Sequence, residues 1–241
     1  MPHRRRPALV EQLVVDRHGG PQQTILAELR RVILDGAAPP GTSVPLAEVA
    51  DVFGVSHIPV RESLKTLIGE GLVTHRANGG YTVAQLTAEE LREMYVVRES
   101  LESAALTAAV QHATEADRDL AADANTLLAQ AIRDDDAVSY HRQSRVFHMA
   151  LARPSGMHRL LHMLEVAWNV TEPVQPMVHV SRENRARLHA DHDDMLDAFV
   201  AGDVQRLLAM SERHAGRLND VIATLPADTG LLAPKDIFHT K

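Results

Sequence analysis

Apolar residues set a helical rhythm from Pro21 onward. Ile25, Leu26, Leu29, Val32, Ile33 and Leu34 recur at three- and four-residue intervals and stop at Gly36, the spacing that lines one face of a helix. Pro39, Pro40 and Gly41 make a turn. A shorter helix follows, with Pro45 near its first turn, Leu46, Val49, Ala50 and Val52 on its buried side, and Gly54 at its end. Ser56 is placed to cap a third helix, opened by Pro59, with Val60, Leu64, Leu67 and Ile68 as its core face and Gly71 as its stop. The pattern then becomes extended. Val73 to Arg76 and Tyr81 to Ala84 flank Ala77-Asn78-Gly79-Gly80, which is a hairpin signal. Three short helices and a hairpin are the order of a winged helix-turn-helix, predicted here over residues 21–85.

Beyond 85 the helical period is nearly continuous. The predicted segments are 88–111, 115–133, 136–152, 156–170, 179–201 and 203–224. They are broken at Asp134-Asp135-Asp136, at Pro154 with Gly156, from Glu172 to Pro176, and at Gly202. The fold class is therefore mainly α: the winged unit, then an antiparallel bundle of six to seven helices over residues 86–225. Residues 1–20, with Arg4, Arg5 and Arg6, read as a flexible basic arm, and 226–241 as a C-terminal tail.

Composition narrows the function. The 241 residues contain no cysteine, which excludes disulfides, thiolate nucleophiles and Cys-based zinc sites and permits a cytoplasmic location. No apolar run approaches the roughly 18 residues of a membrane span, so no membrane partner is expected. The formal net charge of −7 is uneven: residues 1–84 sum to +1 and residues 85–241 to −8. An acidic chain can bind nucleic acid when its cations sit in one module.

The third helix carries the candidate chemistry of the first unit. Its outward face holds His57, Arg61, Glu62 and Lys65, after Ser56 at its start. Arg61 can bond a guanine edge in two places or a phosphate, and the helix N-terminus favours phosphate. In the second unit, His148, His192 and His214 each lie within or beside the apolar face of a different helix. That placement suits either a divalent-ion site or ordinary hydrogen-bonded core histidines. His189 and His192 share a face only approximately. No GxSxG, HExxH or Gly-rich phosphate loop is present, so no catalytic residue is named.

The stretch PGTSVPLAEVADVFGVSHIPVRESLKTLIGEGLV, with MYVVRESLESAALTAA, SRVFHMAL and DHDDMLDAFVAGDVQRLLAMSERH, resembles a GntR-family transcription regulator of the FadR type with an FCD effector domain, over roughly residues 21–224. The resemblance implies a homodimer on a palindromic double-stranded DNA operator, acting as a repressor, with Ser56, His57, Arg61 and Lys65 at the DNA. It implies an effector pocket with Arg98, Ser144, His148, His192 and His214, in which the three histidines hold a divalent metal, zinc- or nickel-like. Serine stands at position 144 where the family usually has a carboxylate or amide ligand. Arg98 matches a family arginine that faces the effector; a small carboxylate or Glu102 would answer its charge. His57 replaces the usual arginine after Gly-Val-Ser, Ile58 stands where a small polar residue is frequent, and Gly79-Gly80 lacks the frequent Arg-Gly of the wing. The competing expectations are a three-histidine metalloenzyme and a DNA-binding dimer without an effector.

Overall fold

The computed structural model describes residues 7–15, 20–77 and 79–224. Arg4, Arg5, Arg6 and the tail from 226 lie outside the described residues. The described chain divides into two compact units, 7–88 with 169–174 and 89–168 with 175–224. The inclusion of 169–174 in the first unit has no counterpart in the apolar period, in which this stretch is the end of the predicted helix 156–170 and the start of the break at Glu172 to Pro176.

In the first unit, α1 (Ala8–Glu11), α2 (Pro21–Leu34), α3 (Leu46–Phe53) and α4 (His57–Gly69) precede β1 (Val73–Arg76) and β2 (Gly80–Val83). Ile25, Leu29, Val32 and Ile33 of α2 meet Val49 and Ala50 of α3 and Val60, Leu64 and Leu67 of α4 in one core. Gly54 ends α3 with φ +65°, a left-handed conformation that a glycine adopts without steric cost. The strands pair antiparallel, Val73 opposite Val83 and Arg76 opposite Gly80. Arg30 of α2 bonds Glu70 at the end of α4 through both carboxylate oxygens, at 2.6 and 2.8 Å.

Three expectations are corrected. The arm is not loose throughout: Ala8–Glu11 is helical and buries Leu9 and Val10, and the stretch is pinned by Val14 N–H donating to Glu28 and Arg31 donating to the Gln12 carbonyl. Two apolar residues in four establish no period, so the sequence gives no sign of this turn. Ile68, expected in the core, is 38% exposed because Leu64 and Leu67 already fill that side of α4. The helix begins at His57, two residues before Pro59, and Ser56 takes the capping position without a capping hydrogen bond from its side chain.

The second unit contains α5 (Ala88–His112), α6 (Glu115–Arg133), α7 (Ala137–Ala152), α8 (His158–Thr171), α9 (Arg182–Ala201) and α10 (Val204–Ile222). Short 3-10 turns lie at Arg153–Ser155 and Pro176–His179, and another at Glu172–Val174 falls in the stretch that belongs to the first unit. Leu106, Leu128, Tyr140, Phe147, Leu188, Met195, Phe199 and Leu207 form its main core. Helix starts are fixed by side chains: Thr114 and Asp117 form a capping box at α6, and Asp136, Ser181 and Asp203 accept from the third backbone N–H beyond them at α7, α9 and α10. Among the described residues, no helix is long and apolar enough to cross a membrane.

Candidate functional site

Two groups of side chains carry chemistry, one in each unit. On α4, apolar residues at Val60, Leu64 and Leu67 turn the opposite arc outward, and Ser56, His57, Ile58, Arg61 and Lys65 are all exposed there. Lys65 pairs with Glu62 at 2.8 Å on the same face, an exposed contact worth only a few tenths of a kcal/mol. Among the described residues, Arg61 has no hydrogen-bond or ion-pair partner. Pro59 sits in the first turn, where its missing N–H removes a donor that has no helical partner in any case.

In the second unit, three helices converge. His148 on α7, His192 on α9 and His214 on α10 are buried, and one nitrogen from each lies within 4.8 Å of the others. The His148 and His192 Nε2 atoms are 3.3 Å apart. Two nitrogens each about 2.0–2.1 Å from a tetrahedral ion stand about 3.3–3.4 Å apart, so this pair has the spacing of two such ligands. His148 Nδ1 is 3.0 Å from Glu102 Oε2. A carboxylate there holds the proton on Nδ1 and leaves the Nε2 lone pair facing the other histidines, the usual support for a metal-binding imidazole. His192 is fully buried, and its Nδ1 has no hydrogen-bond partner among the described residues. Burial, reinforced by the neighbouring His214, His148 and His189, holds His192 well below its ordinary pKa, and burial likewise lowers His214. Both therefore offer neutral lone pairs at neutral pH, as a divalent ion requires. These residues fit a zinc-like ion.

Two acidic residues complete the site, and neither is tied to the histidines by its place in the sequence. Burial alone would raise the Glu102 carboxyl, but His148, Arg98 and His214 outweigh it and bring it down to about 2. Asp191, 1% exposed, has Oδ2 3.8 Å from His214 Nδ1 and 2.9 Å from Arg217, and Oδ1 2.9 Å from Arg213. Its burial is likewise outweighed, by the contact with His214 and by Arg217 and Arg213, leaving its pKa lowered. Glu102 is visible in the sequence four residues after Arg98, and Asp191 immediately before His192, but only the packing of three helices shows which imidazole each one meets.

Arg98 is 5% exposed; its guanidinium carbon lies 3.1 Å from the Trp168 ring centroid and 4.7 Å from that of Tyr95, and its Nε is 3.7 Å from Glu102 Oε1. The Nε has no hydrogen-bond partner among the described residues. Two cavities of about 20 Å³ adjoin the histidines. Arg98, Glu102, His148 and His214 line one; Arg98, Ser144, His192 and His214 line the other. Each has room for about one water molecule or an ion. Ser144, one turn before His148 on α7, is half-buried at the second cavity. His189 stands apart, with its ring centroid 6.2 Å from that of His192 and its Nε2 3.7 Å from Asp193.

A winged helix-turn-helix unit followed by a helical unit with a buried cluster of polar ligands defines a DNA-binding transcription regulator. Residues 21–83 match the bacterial regulatory proteins of the gntR family, and residues 93–217 match the FCD domain. The chain belongs to the GntR family, in the group with an FCD domain, a family of transcription regulators rather than enzymes. It is 27% identical over 225 residues to an HTH-type transcriptional regulator in an unstable DNA locus of Streptomyces ambofaciens, covering 89% of this chain and 90% of that protein. It is 30% identical over 174 residues to the gluconate operon transcriptional repressor of Bacillus licheniformis, covering 70% and 68% of the two chains. The solved structure of E. coli McbR/YncC superposes with a TM-score of 0.75 over 85% of this chain and 98% of that one at 21% identity, a likeness of fold.

Proposed function

We propose that the protein is an effector-responsive repressor that binds a palindromic operator as a homodimer, with Ser56, His57, Arg61 and Lys65 of each copy at the DNA and a small carboxylate as the effector. His148, His192 and His214 hold a divalent ion, and Arg98 with Ser144 completes the effector side of the pocket. Relatives named as repressors support repression. The observation that carries the effector reading is the pairing of three buried imidazoles with a buried arginine on the same small cavities. Ser144 supplies no negative charge, so an ion there meets three imidazole ligands and one carboxylate, Glu102, bonded to the far side of His148. Such a site attracts an anion. Each cavity has room for about one water molecule, so the entry of a carboxylate requires the side chains around Arg98 to move.

The test begins with duplexes selected from a randomised oligonucleotide pool by the full-length protein. Arg61→Ala is expected to lose about tenfold to a hundredfold in affinity for the selected duplex, the range of one bidentate base contact. The buried core does not include Arg61, so the variant should melt as the wild type does. Equal affinity of the two proteins would remove α4 from the DNA. A panel of mono-, di- and tricarboxylates, added to the wild-type complex preloaded with zinc, should include one that changes its operator affinity; no change with any of them would remove the small-carboxylate reading.

A further inference from the structure

Ile58 is 72% exposed, more than any other large hydrophobic residue among those described. It sits in the first turn of α4, three residues before Arg61 and seven before Lys65, and so shares their side of the helix. It takes no part in the core of its unit, which Val60, Leu64 and Leu67 supply from the other side of α4. An aliphatic side chain is thus held in water within an arc of polar and cationic groups, beside an arginine with no partner among the described residues. The cations call for a polyanion. On a duplex, the major groove edges offer one distinctive apolar group, the C5-methyl of thymine.

We propose that Ile58 is a specificity-determining residue, packing on the C5-methyl of a thymine in each half-site, beside the position contacted by Arg61. The proposal rests on the reading of α4 as the groove helix. The branched Ile58 side chain offers no hydrogen bond to a base edge, so its discrimination comes from covering the methyl. His57 on one side and Arg61 on the other supply the polar contacts. A polar side chain at position 58 would leave the methyl in contact with water.

The test uses full-length protein and duplexes selected from a randomised pool by the wild type. Each thymine of the half-site is replaced in turn by deoxyuridine, which removes the methyl and keeps the base-pairing edge. Wild type is expected to lose about fourfold in affinity at one thymine per half-site, the worth of one methyl removed from water. Ile58→Ser, at an exposed position, should melt as the wild type does and bind the thymine and deoxyuridine duplexes equally at that position. The proposal is overturned if no thymine is sensitive to the change, or if Ile58→Ser keeps the wild-type ratio. If either occurs while Arg61→Ala still weakens binding to the selected duplex, α4 remains the reading helix and only the role of Ile58 falls. If the wild type enriches no sequence, both readings fall.

Discussion

Glu102→Gln tests the electrostatics of the buried site. Glutamine keeps the shape of glutamate and its amide oxygen can still accept the His148 Nδ1 proton, so the substitution removes charge with little change in packing. That charge has two dependants. Arg98 Nε lies 3.7 Å from Glu102 Oε1, and the two side chains are 6% and 8% exposed. Leaving one partner of a buried pair uncompensated costs about 3–5 kcal/mol. The Trp168 and Tyr95 rings beside the guanidinium retain part of its stabilisation, of order 2 kcal/mol for a desolvated cation on an aromatic face, in wild type and variant alike. A loss near the lower end, about 3 kcal/mol, corresponds to a fall of roughly 6–12 °C in the melting temperature of a chain this size.

The second dependant is the imidazole. The carboxylate at 3.0 Å orients His148 as a ligand, and removal of such a partner weakens metal affinity by about 10–100-fold. Circular dichroism melts without metal give the first quantity, and zinc titration against a competing chelator gives the second. A Glu102→Gln variant that melts within about 2 °C of wild type and binds zinc equally well would refute the charge assignment, since neither dependant would have needed the carboxylate.

Ser144→Asp should raise zinc affinity at least about tenfold by placing a carboxylate one turn before His148, at the cavity shared with His192 and His214; unchanged affinity in the same chelator competition would put position 144 outside the ligand set. Stability should also fall in two steps on acidification. His192 and His214 have folded-state pKa values below 6.5, so the unfolded chain binds their protons first: stability is full above about pH 6.5 and declines below it, with a slope approaching about 1.4 kcal/mol per pH unit for each group. Glu102, lowered from 4.5 to about 2, contributes stability that is present above pH 4.5 and lost as pH falls toward 2. Urea melts of wild type and Glu102→Gln across pH 3–8 should share the upper step, and the variant should show a shallower lower one. Identical curves below pH 4.5 would contradict the Glu102 assignment.

Much of the architecture is legible in the residues because its signals are local. Gly54, Gly71 and Gly202 end elements where they were expected to, and the period of Ile25, Leu29, Val32 and Ile33 survives intact in the core. The turn at Ala8–Glu11 was not legible, because its two buried residues depend on Glu28 and Arg31 of the following helix to fix the chain. The 3-10 turns between α8 and α9 fall on the predicted break at Glu172 to Pro176 and on the start of the predicted helix 179–201, for a similar reason. Met177 and Val180 are buried there among residues far away in sequence, and no regular period announces them.

The site shows the same division at a finer scale. Helical phase puts His148, His192 and His214 on inward faces, but phase cannot say that three inward faces meet at one point, and the resemblance supplied that step. What neither supplied is the arrangement of charge. Arg98 and Glu102 lie one turn apart on a single helix, which suggests a simple pair across that turn. Instead Glu102 gives its shorter contact to His148 on α7, and Arg98 is left with a 3.7 Å separation, two aromatic rings and an unpartnered Nε. A guanidinium held this way retains hydrogen-bonding capacity that its own chain does not satisfy. At a buried position that is costly unless something else uses it. Asp191, by contrast, is held by two arginines at 2.9 Å and has less attraction left to offer. The two buried carboxylates therefore differ in kind: Asp191 closes a network around His214, whereas Glu102 leaves Arg98 able to bond an incoming anion.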